Sequence, residues 1–247
     1  VHMCFFETLL RIKQRRCRVG FSRYFTCFAA ALLSVSFLVS AQEIPYGVQN
    51  RQKLDAIVKE AKVHLASTAD HAGWLKAAGI ASHQLALLKV DSASEDAVQY
   101  LKRASSMSPA DTELLAYLGS SHAMLARDSS LTVNKISNTN KGLALLDRAV
   151  RREPDNLSIR IIRGSVAYEL PPMFSREKTA QDDFLFVLKA VKAGANVAPL
   201  RLSEIYFKLG QLAAKRKQMD VADKFYAKAR SIAPGSAWAE KARKASR

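Results

Sequence analysis

Residues 203–236, SEIYFKLGQLAAKRKQMDVADKFYAKARSIAPGS, decide the fold, because their apolar residues keep to one helical face, break at a charged turn and then resume. Ile205, Tyr206, Leu209, Leu212 and Ala213 recur at steps of three and four, as do Val221, Ala222, Phe225, Tyr226, Ala229 and Ile232. That period gives each helix one buried stripe. Lys215, Arg216, Lys217 and Gln218 suit only a solvated turn, and Asp220 is placed to cap the second helix by accepting from its first free amides. The stretch is a helical hairpin. Gly210, Ala222 and Ala229 are small where two antiparallel helices cross closely, Tyr226 fills the space beside them, and Pro234 ends the second helix.

The spacing of Leu209, Gly210, Ala213, Ala222, Tyr226, Ala229 and Pro234 resembles that of the 34-residue tetratricopeptide repeat (TPR). The resemblance implies a right-handed stack of helix pairs whose concave groove holds peptides or partner helices. The expected fold class is all-α: a TPR-like α-solenoid of antiparallel helix pairs, about four repeats plus an N-terminal helix and a C-terminal capping helix.

Working outward from this fourth repeat (199–236), the pattern weakens. In the third (156–198), Gly164, Ala180 and Phe184 match, but Arg160 and Arg163 stand where large apolar residues usually pack, and Leu170-Pro171-Pro172-Met173-Phe174 interrupts the helices. The second (110–155) carries Leu115, Leu118, Gly119, Leu146, Ala149 and Pro154, with Gly142 in place of the usual alanine. Its two helices are separated by an 11-residue excess over the fourth repeat, placed in the polar stretch Arg127 to Thr139 and read as an ordered excursion or a mobile loop. The first (72–109) has Trp74, Leu75, Ala78, Gly79, Ala97, Leu101, Ala104 and Pro109, with a spacing six residues longer than in the fourth, and Asp70 precedes it as a helix start. Residues 42–71, with Leu54, Ile57, Val58, Ala61 and Leu65 at helical spacing, read as a packing helix. Residues 237–247, with Trp238, Ala239, Ala242 and Ala245 among charged residues, read as a solvating cap. The long insertions and the extra N-terminal helix are also similar, in architecture alone, to the T component of tripartite ATP-independent periplasmic transporters.

At the N-terminus, six bases and one acid in residues 1–23 precede an apolar run from Tyr24 to Val39 and small residues at Val39-Ser40-Ala41. Residues 1–41 therefore read as a signal peptide cleaved after Ala41, which makes the protein exported and periplasmic. The alternative is an uncleaved inner-membrane anchor, although the run is shorter than the roughly 20 residues that span a bilayer. Cys4, Cys17 and Cys27 all lie in this segment, so they cannot supply a disulfide framework for the rest. Removing the segment lowers the formal charge from +16 to +11. The remaining bases cluster at Arg148, Arg151 and Arg152, at Lys215 to Lys217, and at Lys241, Arg243, Lys244 and Arg247, which suits contact with an anionic surface or acidic partner. Export and the lack of interleaved aromatics argue against nucleic acid.

No constellation for chemistry emerges. His64, His71, His83 and His122 form no i, i+4 pair and have no cysteine partners in the body of the chain, so no metal is expected, and His122 falls at a buried aromatic position of the repeat. Asp182-Asp183 and Glu95-Asp96 are explained by helix dipoles. There is no nucleophile elbow and no phosphate loop. The reading is a non-enzyme without a cofactor, in one of two classes. One is a cell-envelope scaffold that binds a protein partner in its groove; the other is an accessory ligand- or lipid-binding component of a periplasmic transport system. Neither the oligomeric state nor the partner is fixed by the sequence.

The resemblance to the repeat family also implies groove positions on the first helix of each repeat. Carried over, these are Lys76 and His83 in the first repeat and Glu113 and Ser120 in the second. They are Ile161, Ser165 and Tyr168 in the third, and Glu204, Phe207 and Gln211 in the fourth. Tyr168 and Phe207 stand out as large aromatics that a partner would bury.

Overall fold

A computed structural model describes residues 50–246, all within the unit Val39–Arg247; the expected signal segment and the three cysteines lie outside the described residues. Ten α-helices and one 3-10 turn follow in order, with no strand among the described residues. The first helix, α1 (Arg51–Ser67), precedes four antiparallel pairs: α2 (Ala72–Leu87) with α3 (Ala93–Met107), α4 (Thr112–Asp128) with α5 (Thr132–Arg152), α6 (Leu157–Glu169) with α7 (Glu177–Lys192), and α8 (Pro199–Lys215) with α9 (Met219–Ile232). α10 (Ala237–Ala245) closes the stack.

Local sequence sets most of these helix starts. The first helices of the first three pairs each begin on a side chain that accepts a free amide: His71 Nδ1 from Trp74, Asp111 Oδ1 from Leu114 and Asn156 Oδ1 from Ile159. α1 and α10 start in the same way, on Asn50 and Ser236. α8 instead has Pro199 in its first turn, where a missing donor costs nothing. The second helices α3, α5, α7 and α9 have no side-chain cap. Two expectations are corrected here. His71 rather than Asp70 caps α2, and Asp220 lies inside the first turn of α9, where its charge complements the helix dipole without capping the end.

Each pair is pinned where a small residue meets its partner helix. A Cβ on Gly210 would come within 2.5 Å of the Tyr226 ring, and one on Gly142 within 2.5 Å of the Gly119 carbonyl oxygen. The second contact explains the missing alanine: two glycines let the α4 and α5 backbones touch, and no side chain can move aside to admit a methyl group. Leu101, Leu146, Phe184 and Tyr226 then fill the four crossings, all with at most 1% of their surface exposed.

The 11-residue excess of the second repeat is helix rather than loop. α4 continues nine residues past Gly119 and α5 begins ten residues before Gly142, joined by the short turn 129–131, so the pair projects beyond its neighbours. Residues 131–136 are exposed. His122, expected in the core, is half-buried at the base of this projection, where its Nδ1 lies 3.1 Å from Asn138 Oδ1 across the pair. The stretch 127–139 has only three large apolar residues, Leu131, Val133 and Ile136, too few to mark a buried stripe, and so resembles a loop.

The third repeat departs from the pattern for a different reason. Asp183 is fully buried in the middle of α7, and a helix dipole does not account for it. Its carboxylate accepts from Arg160 Nη1, Arg163 Nε and Arg163 Nη2, all at 2.8 Å. Arg163 Nη1 also donates to Asp147 at 3.2 Å, which accepts from Arg176 at 2.9 Å. Charges paired in this way occupy the space that apolar side chains fill in the other repeats.

Candidate functional site

The first helices of the pairs, α2, α4, α6 and α8, carry the expected groove residues, and the structure sorts these into three groups. Lys76 and Glu113 sit together at one edge of the stack: Lys76 Nζ lies 2.8 Å from Asp111 and 3.7 Å from Glu113. Both therefore serve the junction between repeats one and two.

His83 and Ser120 form the second group. His83 is fully buried, with Nε2 3.0 Å from Ser120 Oγ and its ring edge-on to Tyr117 at 5.1 Å. Burial, helped by the positive charge of Arg201, pushes its pKa down to about 3, so the imidazole is neutral at ordinary pH. Its Nδ1 and the hydroxyl of Ser165 are buried without a hydrogen-bond partner. Ile161 is buried with Phe184 and Ile205 in the apolar core of the third and fourth repeats.

Tyr168, Glu204, Phe207 and Gln211 make up the third group, at the C-terminal end. Glu204 is buried between Arg201, whose Nη1 donates to it, and Lys208, whose Nζ lies 2.9 Å away. Burial alone would raise its pKa; Lys208 and Arg201 outweigh this and hold the carboxyl below its ordinary value. Lys208 Nζ also stands 5.1 Å from the centre of the Tyr168 ring and 5.8 Å from that of Trp238. Burial, then Glu169, pushes the Tyr168 phenol up to about 12. Phe207 packs between Tyr226, at 6.0 Å, and Trp238 of α10, at 5.6 Å. Gln211 Nε2 donates to the Tyr226 hydroxyl at 2.8 Å. Phe207 and Gln211 are thus held by their own repeat and the cap, whereas Tyr168 keeps a partly open ring beside Lys208.

Sequence reasoning missed Arg201 and Lys208. Their signal was present in the spacing Arg201, Glu204, Lys208, which places three charges on one face of α8. Lys241 of the cap joins them, 4.1 Å above the Trp238 ring. Among the described residues no group of three or more His, Cys, Asp or Glu could hold a metal ion, and no helix is long and apolar enough to cross a membrane.

The described fold is that of known TPR proteins. It is similar to the crystal structure of TTC0263, a thermophilic TPR protein of Thermus thermophilus, with a TM-score of 0.61 and 18% identity over 78% of this chain and 91% of that one. It is also similar to a crystal structure of MamA, with a TM-score of 0.51 and 18% identity over 82% of this chain and 99% of that one. No protein-family model and no curated protein matches the sequence.

Proposed function

From the premise of a TPR-like stack, we propose that this chain is a non-catalytic scaffold of the bacterial cell envelope that holds a protein partner along its first-helix face. The observation that carries the reading is the cluster at the C-terminal end of that face. Tyr168 and Trp238 are half-buried aromatics, with Lys208 and Lys241 against their rings. Rings with part of their surface open and a cation alongside are the anchors a partner segment buries with most gain. The charges of Arg201, Glu204 and Lys208 beneath them are already paired, so they fix the shape of the face instead of being left for the partner to neutralise. An envelope location is supported by the basic and apolar N-terminal pattern.

Photo-crosslinking in intact cells tests this. A benzophenone amino acid replaces Tyr168 in one variant of the full chain and Leu185, exposed on α7, in another. The expected outcome is a discrete protein adduct from position 168 that is absent from position 185, in cells whose fractionation places the protein outside the cytoplasm. Adducts at neither position, or equal adducts at both, would rule out this face as the binding surface.

A further inference from the structure

The four turns that join first to second helices, at residues 87–92, 127–136, 170–178 and 215–221, lie along one edge of the stack. Contacts link the first turn to the second and the third to the fourth: Arg127 Nη2 donates to the Ala86 carbonyl at 2.9 Å, and Lys215 reaches Glu177 at 3.1 Å, while Arg176 of the third turn reaches Asp147 in the C-terminal half of α5. This edge is unlike the opposite one in three independent ways.

The first difference is exposed apolar surface. Of the twelve large apolar side chains exposed among the described residues, eight sit at these four turns and none of the twelve is aromatic. Leu131, Val133 and Ile136 crown the projecting tip of α4 and α5, with Val133 68% exposed, and Met173 is 74% exposed at the next turn. The second difference is charge. The four turns hold eight Lys or Arg against four Asp or Glu, while the opposite turns, at 67–72, 107–113, 151–157, 192–200 and 232–237, hold three against five. The third is backbone strain. All four non-glycine residues with positive φ among the described residues, Lys89, Ser92, Ser175 and Lys217, are on this edge, whereas the opposite edge places Gly194 and Gly235 in that conformation. Lysine in the left-handed region costs about 1–2 kcal/mol that glycine avoids, which points to a use for the side chain.

We propose that this edge docks the protein on an anionic lipid bilayer, with Leu131, Val133 and Ile136 entering the headgroup layer and Lys89, Lys135 and Lys217 on lipid phosphates. Scattered aliphatic side chains, each flanked by a cation, suit a soft charged plane. A protein partner would favour a contiguous patch rich in aromatics, which this edge lacks. The edge is separate from the first-helix face, so a membrane-bound chain keeps that face open.

The full chain is mixed with vesicles of phosphatidylethanolamine and phosphatidylglycerol, or of phosphatidylcholine alone, and followed by hydrogen–deuterium exchange, a local readout that the apolar run at residues 24–39 does not confuse. Slower exchange is expected at residues 129–137 and 215–221 with the anionic vesicles only. Lys135→Glu with Lys217→Glu should raise the anionic-lipid concentration that half-protects these turns at least about 25-fold, from roughly fivefold per lysine. The charge-matched control, Arg151→Glu with Lys192→Glu on the opposite edge, should leave it unchanged. Protection that appears equally on phosphatidylcholine, control and test variants that weaken alike, or turn protection that depends on protein concentration without lipid would each overturn the proposal, the last in favour of self-association.

Discussion

Asp183→Ala removes the centre of the charge network in the third repeat: Arg160 loses its carboxylate, and Arg163 is left with Asp147 alone. Arg160 and Arg163 are 17% and 15% exposed, so neither can recover full hydration without moving the helix that carries it. Breaking a buried pair from one side costs about 3–5 kcal/mol, and the residual exposure of the arginines places this case near the lower end. For a chain of this size about 3 kcal/mol lowers the melting temperature by roughly 6–12 °C. Thermal and urea unfolding followed by circular dichroism at 222 nm measures it. A second variant separates pairing from packing: Asp183→Ala combined with Arg160→Leu and Arg163→Leu supplies the apolar residues expected at these positions. Buried charges exchanged for apolar groups are often neutral or stabilising, so the triple variant should recover at least half of the loss. A single variant that loses less than about 1 kcal/mol, or a triple variant no more stable than the single, would refute this account.

Three further outcomes are expected. Gly142→Ala should destabilise by about 1–2 kcal/mol despite a gain in helix propensity of roughly 1 kcal/mol, because the new methyl meets the Gly119 carbonyl; an unchanged urea midpoint contradicts the crossing. Because the His83 pKa is about 3 in the folded chain against 6.5 for the free side chain, the unfolded state takes up more protons as pH falls. Stability should therefore be full above pH 6.5 and drop by about 2 kcal/mol by pH 5, a slope that His83→Gln should flatten. Lys217→Gly should raise stability by about 0.5–1 kcal/mol through relief of positive φ, less the flexibility glycine adds to the unfolded chain, and a lower melting temperature would count against strain at this turn.

The repeat was legible where its signals are local and apolar. Gly210 with Ala222 and Tyr226 is a spacing that only a close helix crossing explains, and the same spacing reappears, degraded, at Gly79, Gly119 and Gly164. Polar substitutions for packing were harder to read. Arg160 and Arg163 resembled a failing repeat because their partner, Asp183, lies 20 residues or more along the chain, and nothing in its neighbourhood marks it as buried. The projecting hairpin stayed open between an ordered excursion and a mobile loop because the apolar residues at its tip, Leu131, Val133 and Ile136, are exposed and mark no buried stripe. For the candidate site, Tyr168 was legible as a large aromatic on a first helix, and the structure leaves its ring half-buried. Phe207 depended on where α10 docks, a contact that spacing within one repeat does not encode, and Gln211 on the reach of the Tyr226 hydroxyl across its own pair.

The glycine crossing also fixes how the long pair can move. Gly142 lies at the midpoint of α5, with ten residues to either side, so the helix is held at its centre and extends roughly 15 Å in each direction. Leu146, Ala149 and Val150 bury the C-terminal half as well, so α5 is a cantilever clamped from its centre to its root. Bending is left to the exposed end around residues 131–136, while the clamped root packs against α6. A load on Val133 at the outer edge is therefore met at the Gly119–Gly142 crossing, where the clamped half begins.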